Sequence, residues 1–104
     1  NKNINNIDIF KALCPGGSIT GAPKESSMKI IDNLENYSRG IYTGAIGHID
    51  NNSDMNFNIA IRTMVIDKKQ GSYPVGGGIV WDSTIHEEWD EAQLKSKILN
   101  NFIN

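Results

Sequence analysis

From Met55 to Ile66 the chain alternates strictly, with Met55, Phe57, Ile59, Ile61, Thr63 and Val65 on one face and Asn56, Asn58, Ala60, Arg62, Met64 and Ile66 on the other. A period of two belongs to a pleated strand and cannot hold one side of a helix. Further along the period changes. Ile85, Trp89, Ala92, Ser96, Leu99 and Ile103 recur every three or four residues, which predicts a helix with a core-facing stripe, capped by Asp82, Ser83 or Thr84. Upstream, Ala22, Met28, Ile30, Ile31 and Leu34 predict a helix over 21–37, with Thr20 as N-cap and Pro23 in its first turn. A shorter helix is predicted over Ile7–Leu13, ended by Pro15-Gly16-Gly17.

Between the helical regions, Ile41–Ile49 reads as a strand and residues 50–54 as a turn cluster. After the 55–66 run, Asp67–Gly71 reads as a second turn and Ser72–Trp81 as a third strand, where Pro74 requires an edge or a bulge. Short connections between three strands imply an antiparallel meander. The order α-α-β-β-β-α is an α+β arrangement, antiparallel strands flanked by helices.

Length and charge narrow the function classes. A chain of 104 residues is one domain at most, and a domain of that size buries roughly two-thirds of its unfolded surface. A net charge of −2 and a pI near 5.6 give no basic stripe for nucleic acid or anionic lipid. No apolar run approaches the ~18 residues of a membrane span. The single cysteine, Cys14, excludes an internal disulfide and fits a reducing cytoplasm. The asparagine-rich start without an initiator methionine suggests a linker or cut point at 1–7, with 8–104 a segment of a longer domain.

Glu88, Glu91 and Lys95 stand at i, i+3 and i+7 of the last helix, on its border with the apolar stripe, and follow the run Gly76-Gly77-Gly78. Two carboxylates one turn apart repel unless a cation or solvent intervenes. Hard ions such as Mg²⁺ accept one or two carboxylates plus substrate oxygens, and bare glycine backbone lets a ligand approach. A plainer reading is a solvated acidic first turn complementing the helix dipole, and these residues alone favour it. Arg62, within an apolar strand, suits bidentate capture of a carboxylate; an edge-exposed arginine or a structural ion pair fits equally. The loop from Gly16 to Lys24 fails as a phosphate loop, because Lys24 does not follow Gly21 directly and no strand precedes it.

Taken in order, GGSITGAPK (16–24), IIDNLE (30–35), RGIYTGAIG (39–47), DMNFNIAIRT (54–63), GGGIVWDS (76–83) and EEWDEAQLK (87–95) resemble the C-terminal portion of the chorismate-utilising enzymes. The resemblance spans about residues 8 to 100. It implies that Glu88 and Glu91 bind Mg²⁺ and that Arg62 and Tyr42 hold the enolpyruvyl carboxylate of chorismate. It further implies that the backbone of Gly77 and Gly78, with Ser18 and Lys95, meets the substrate. Thr20 and Gly77 favour the branch that makes 4-amino-4-deoxychorismate for folate over the anthranilate-forming branch.

That branch implies replacement of the 4-hydroxyl by ammonia from a glutamine amidotransferase partner, with the nucleophilic lysine and a further Mg²⁺-binding glutamate expected upstream. The chain alone is therefore expected to be inactive, without a catalytic residue of its own, and prone to self-association through an uncovered apolar face. A reading from another class is a non-catalytic α+β interaction module. His48 and Trp81 depart from the family's usual residues, as does the run Lys24-Glu25-Ser26-Ser27. A convergence of Arg62, Tyr42 and Lys95 beside Gly77 and Glu88 would favour the binding reading, and an Arg62 pointing to open solvent would remove its main support.

Overall fold

The structure is a computed structural model that describes residues 4–103. Residues 1–3 of the stretch read as a linker, Asn104, and the side chain of Ile103 in the apolar stripe lie outside the described residues. The chain is α+β, and it divides into two compact units, Asn1–Ala60 and Ile61–Asn104.

In the first unit, α1 (Asn6–Leu13) begins at a reciprocal cap: Asn5 Oδ1 accepts from the Asp8 amide at 2.9 Å, while Asp8 Oδ2 accepts from the Asn5 amide at 3.2 Å. Two otherwise orphaned amides are satisfied together. Lys24 closes the other end, its ammonium donating to the carbonyls of Lys11, Ala12 and Cys14 at 3.4, 3.0 and 3.4 Å. A cation at a helix C-terminus meets the negative end of the dipole and the unpaired carbonyls. This ties α1 to α3 (Lys24–Leu34) and commits Lys24 to a structural role.

The helix expected over 21–37 is shorter, and Thr20 does not cap it. Thr20 instead ends a single turn, α2 (Gly17–Thr20), donating its hydroxyl to the Gly16 carbonyl at 3.2 Å. Gly21 separates α2 from α3 at φ +108°, a conformation that only glycine adopts without strain, and Pro23 takes the N-cap position.

β1 (Ala45–Ile49) and β2 (Met55–Ile59) form an antiparallel hairpin with Gly47 opposite Phe57. A side chain at Gly47 would sit 2.0 Å from the Asn56 carbonyl oxygen, so the close pairing needs glycine. The Phe57 ring meets Phe10 of α1 with centroids 5.0 Å apart, joining helix to hairpin. Ala60 is the one buried residue among those described, held where its amide donates to the Gly44 carbonyl.

In the second unit, β3 (Val65–Asp67) and β4 (Gln70–Ser72) make a tight antiparallel hairpin. Lys68 in its two-residue turn has φ +55°, the sign such turns need. The three-strand meander is therefore not formed: there are two separate two-stranded sheets. The long alternating run breaks after Ile59 because Arg62 takes φ +50°, which no strand sustains. Residues 73–80 form no strand; Pro74 lacks a ladder donor and three glycines follow it.

Thr84 is the cap of α4 (Ile85–Ser96), accepting from the Glu87 amide at 3.3 Å. A 3-10 turn over Lys97–Leu99 and α5 (Asn100–Ile103) complete the chain. The expected core-facing stripe is covered only in part: Ala92, Ser96 and Leu99 are half-buried, while Ile85 is 88% exposed and Trp89 63%, and Trp81, outside the helix, is 99% exposed.

Candidate active site

Three side chains on α4 meet the glycine run. An ideal Cβ at Gly77 would lie 2.7 Å from Glu88 Oε2 and 3.7 Å from Glu91 Oε1, so those two oxygens are no more than 6.4 Å apart. Glu88 Oε2 is buried and has no hydrogen-bond partner. Its other oxygen, Oε1, accepts from the Ser83 hydroxyl at 2.5 Å. Lys95 completes the group, its ammonium donating to the Gly76 carbonyl at 2.9 Å and pairing with Glu91 Oε1. Gly77, Ile79, Ser83, Thr84, Ile85, Glu88 and Trp89 line a cleft of about 400 Å³.

A buried carboxylate oxygen with no donor is costly unless something pairs with it. No third His, Cys, Asp or Glu joins Glu88 and Glu91 among the described residues. Two carboxylates suit a small hard cation that takes its remaining oxygens from solvent or an anionic ligand. The residues present therefore fit a divalent ion: Glu88 offers a bare oxygen, and Glu91 an oxygen now neutralised by Lys95. Nothing within 4 Å would meet a Cβ at Gly78, so a ligand finds that stretch of backbone open.

Arg62 belongs to the same unit but does not join this group. Its side chain is exposed, makes no hydrogen bond or ion pair among the described residues, and is not on the wall of the Gly77–Glu88 cleft. Its backbone is left-handed at φ +50°, so it does not continue the extended strand expected there. Arg62 makes no bond to Glu88, Glu91 or Lys95, whose own partners are Ser83, Gly76 and one another.

Ser18 and Tyr42 lie in the first unit. Ser18 is exposed on α2. Tyr42 is half-buried on the wall of a larger cleft, about 930 Å³, with Phe10, Met28 and Ile31. Arg39 braces it: Nε donates to Glu35 Oε2 at 2.7 Å, Nη2 to Glu35 Oε1, and Nη1 to Thr43 Oγ1 at 3.2 Å. Its guanidinium lies 5.6 Å from the Tyr42 ring centroid. The hydrogen bonds from Arg39 hold the Glu35 carboxyl below its ordinary range, against the opposing effect of burial, and Arg39 is raised in turn. That charge pair satisfies itself.

Sequence pattern alone does not mark Ser83 or Arg39 as site residues; it offers Ser83 only as one of three candidate caps. The legible signal was a serine just before the cap with a glutamate five positions on, a spacing that allows the hydroxyl to reach back to the first turn.

The α+β scaffold thus carries a bare carboxylate oxygen beside open glycine backbone. The chain belongs to the chorismate binding enzyme family, whose profile matches residues 1–101. It is 43% identical over 94 residues to anthranilate synthase component 1 of Acinetobacter calcoaceticus, covering 90% of this chain and 19% of that protein. It is 42% identical over 100 residues to the chloroplastic aminodeoxychorismate synthase of Arabidopsis thaliana, 96% of this chain and 11% of the relative. With aminodeoxychorismate synthase component 1 of Bacillus subtilis the identity is 46% over 90 residues, 86% of this chain and 19% of the relative. The chain thus spans about a fifth or less of these relatives.

Proposed function

We propose that this chain supplies part of the substrate site of a chorismate-utilising synthase, and that the reaction is formation of 4-amino-4-deoxychorismate from chorismate and ammonia. The observation that carries the reading is the unpartnered Glu88 Oε2 against Gly77, within a chain matched by the family over nearly its whole length. Glu88 and Glu91 hold Mg²⁺, which when bound neutralises a substrate carboxylate and so fixes the ring. The amides of Gly77 and Gly78 present N–H groups to that ligand, and Lys95, released from Glu91, adds a positive charge nearby. Arg62, in the same unit and exposed, is able to fork a carboxylate; Tyr42 and Ser18, in the other unit, are candidate substrate contacts by the family resemblance alone. Ammonia comes from a glutamine amidotransferase, and the setting is the cytoplasm. The chain by itself binds and orients without turning over.

Thr20 and Gly77 support the aminodeoxychorismate reading over anthranilate formation, while relatives carry both names. A chimera tests it: this chain replaces the aligned segment of the Bacillus subtilis relative, and the products from chorismate and ammonia are identified. The expected product is 4-amino-4-deoxychorismate, with the rate falling about 100-fold or more in the Glu91→Ala chimera, as loss of a metal contribution of several kcal/mol requires. Anthranilate as the product would move the protein to the second reading. A folded chimera yielding neither would leave only the interaction module.

A further inference from the structure

We propose that Ser83 is a positioning residue that sets the Glu88 carboxylate for cation binding; this rests on the metal reading above. The direction of its hydrogen bonds follows from donor count. The Val80 amide is 3.0 Å from Ser83 Oγ and can only donate, so Oγ accepts there. The hydroxyl has one proton left to give, and Glu88 Oε1 at 2.5 Å receives it. The Ser83 amide also donates to the Val80 carbonyl at 3.0 Å, which fixes the loop between the glycine run and α4 from both sides.

The consequence falls on the other carboxylate oxygen. With Oε1 taken by Ser83, the plane of the carboxylate is fixed and Oε2 faces the bare Cα of Gly77 without a partner. Glu88 has several rotatable bonds, and leaving it unrestrained would spread that oxygen over many positions. Partners that orient a metal-binding carboxylate are worth about 10–100-fold in metal affinity. Ser83 is well suited to this because it lies before the helix cap, and its own orientation is locked by Val80 rather than by α4.

The test uses the intact chain with Mn²⁺ as the probe, and Ser83→Ala and Ser83→Thr variants. Without metal, side-chain couplings should show one Glu88 rotamer in the wild type and in Ser83→Thr, and averaging in Ser83→Ala. With metal, Mn²⁺ broadening of the Gly77 and Glu88 amide signals should need about tenfold more ion in Ser83→Ala and an unchanged amount in Ser83→Thr. A merely structural serine would lower the melting temperature without this split between hydroxyl-bearing and hydroxyl-free variants. A single Glu88 rotamer in Ser83→Ala, or wild-type Mn²⁺ response in that variant, overturns the proposal. If the wild type itself shows no Mn²⁺ response at these amides, the cation reading falls and takes this one with it; the two failures are thereby told apart.

Discussion

Gly77 shows how much one missing side chain can decide. A methyl there would come within 2.7 Å of Glu88 Oε2, closer than Cβ atoms approach oxygen, so the carboxylate must rotate away. Gly77→Ala is therefore expected to lower Mn²⁺ affinity by about tenfold or more, as disruption of a metal ligand's setting does. Gly78→Ala, with nothing within 4 Å, should leave it unchanged. Titration of both variants by Mn²⁺ line broadening checks the contrast, and equal losses would refute it. Glu35 gives a pH prediction of definite sign. Its carboxyl is held below the ordinary value by Arg39, so the stabilisation is present above that ordinary value and is lost as pH falls through the folded one. Glu35→Gln should cost about 1 kcal/mol near neutrality, the upper end for a pair that solvent reaches. It should also flatten the acid limb of stability against pH, read by denaturant melts. Sequence made Glu88 and Glu91 visible as a pair but not the difference between them. That one keeps a bare oxygen while the other pairs with Lys95 depends on where the glycine run lies in space.

At the scale of elements, capping rules held at one end and failed at another: Thr84 caps α4 through the Glu87 amide three residues on, whereas Thr20 ends α2 and Pro23 takes the cap of α3. Thr84→Ala should destabilise α4 by about 1 kcal/mol, while Thr84→Asp should retain most of that, because either oxygen accepts the Glu87 amide. Helicity and thermal melts of the two variants measure this, and a loss shared by both would point to packing instead. The strands were less legible. The alternation from Met55 to Ile66 predicts one strand, yet β2 stops at Ile59, and Arg62 has φ +50°. Alternation reports which faces a strand could have. It does not report whether a neighbour exists to bond with it. For the same reason Ser72–Trp81 was read as a strand, while only Gln70–Ser72 pairs.

The whole chain carries little interior. Two separate compact units of the sizes seen here would together expose about 7,000 Å² by ordinary area scaling. The chain exposes 9053 Å², and Ala60 alone is buried among the described residues. Apolar side chains such as Leu34 at 79%, Ile79 at 76% and Ile85 at 88% remain open to water. Domains with so thin a core have little margin against chain entropy. The chain by itself should accordingly melt with low cooperativity and self-associate as concentration rises, observable by sedimentation together with calorimetry. A sharp, concentration-independent transition would contradict this. It should also form no aminodeoxychorismate from chorismate, ammonia and Mg²⁺, and measurable product would refute the assignment of binding without turnover.

The sequence by itself determined the α+β class, the starts of the three longest helices to within three residues, the Glu88–Glu91–Lys95 face and the ordered blocks that place the chain in its family. Those are matters of local period, capping chemistry and motif order, all written along the chain. Only the tertiary structure decided that Arg62 leaves its strand, that Lys24 serves the end of α1, and that Ser83 turns one oxygen of Glu88 toward Gly77. The first depends on backbone direction and the other two on atoms 5 to 13 positions away, which a one-dimensional pattern does not specify.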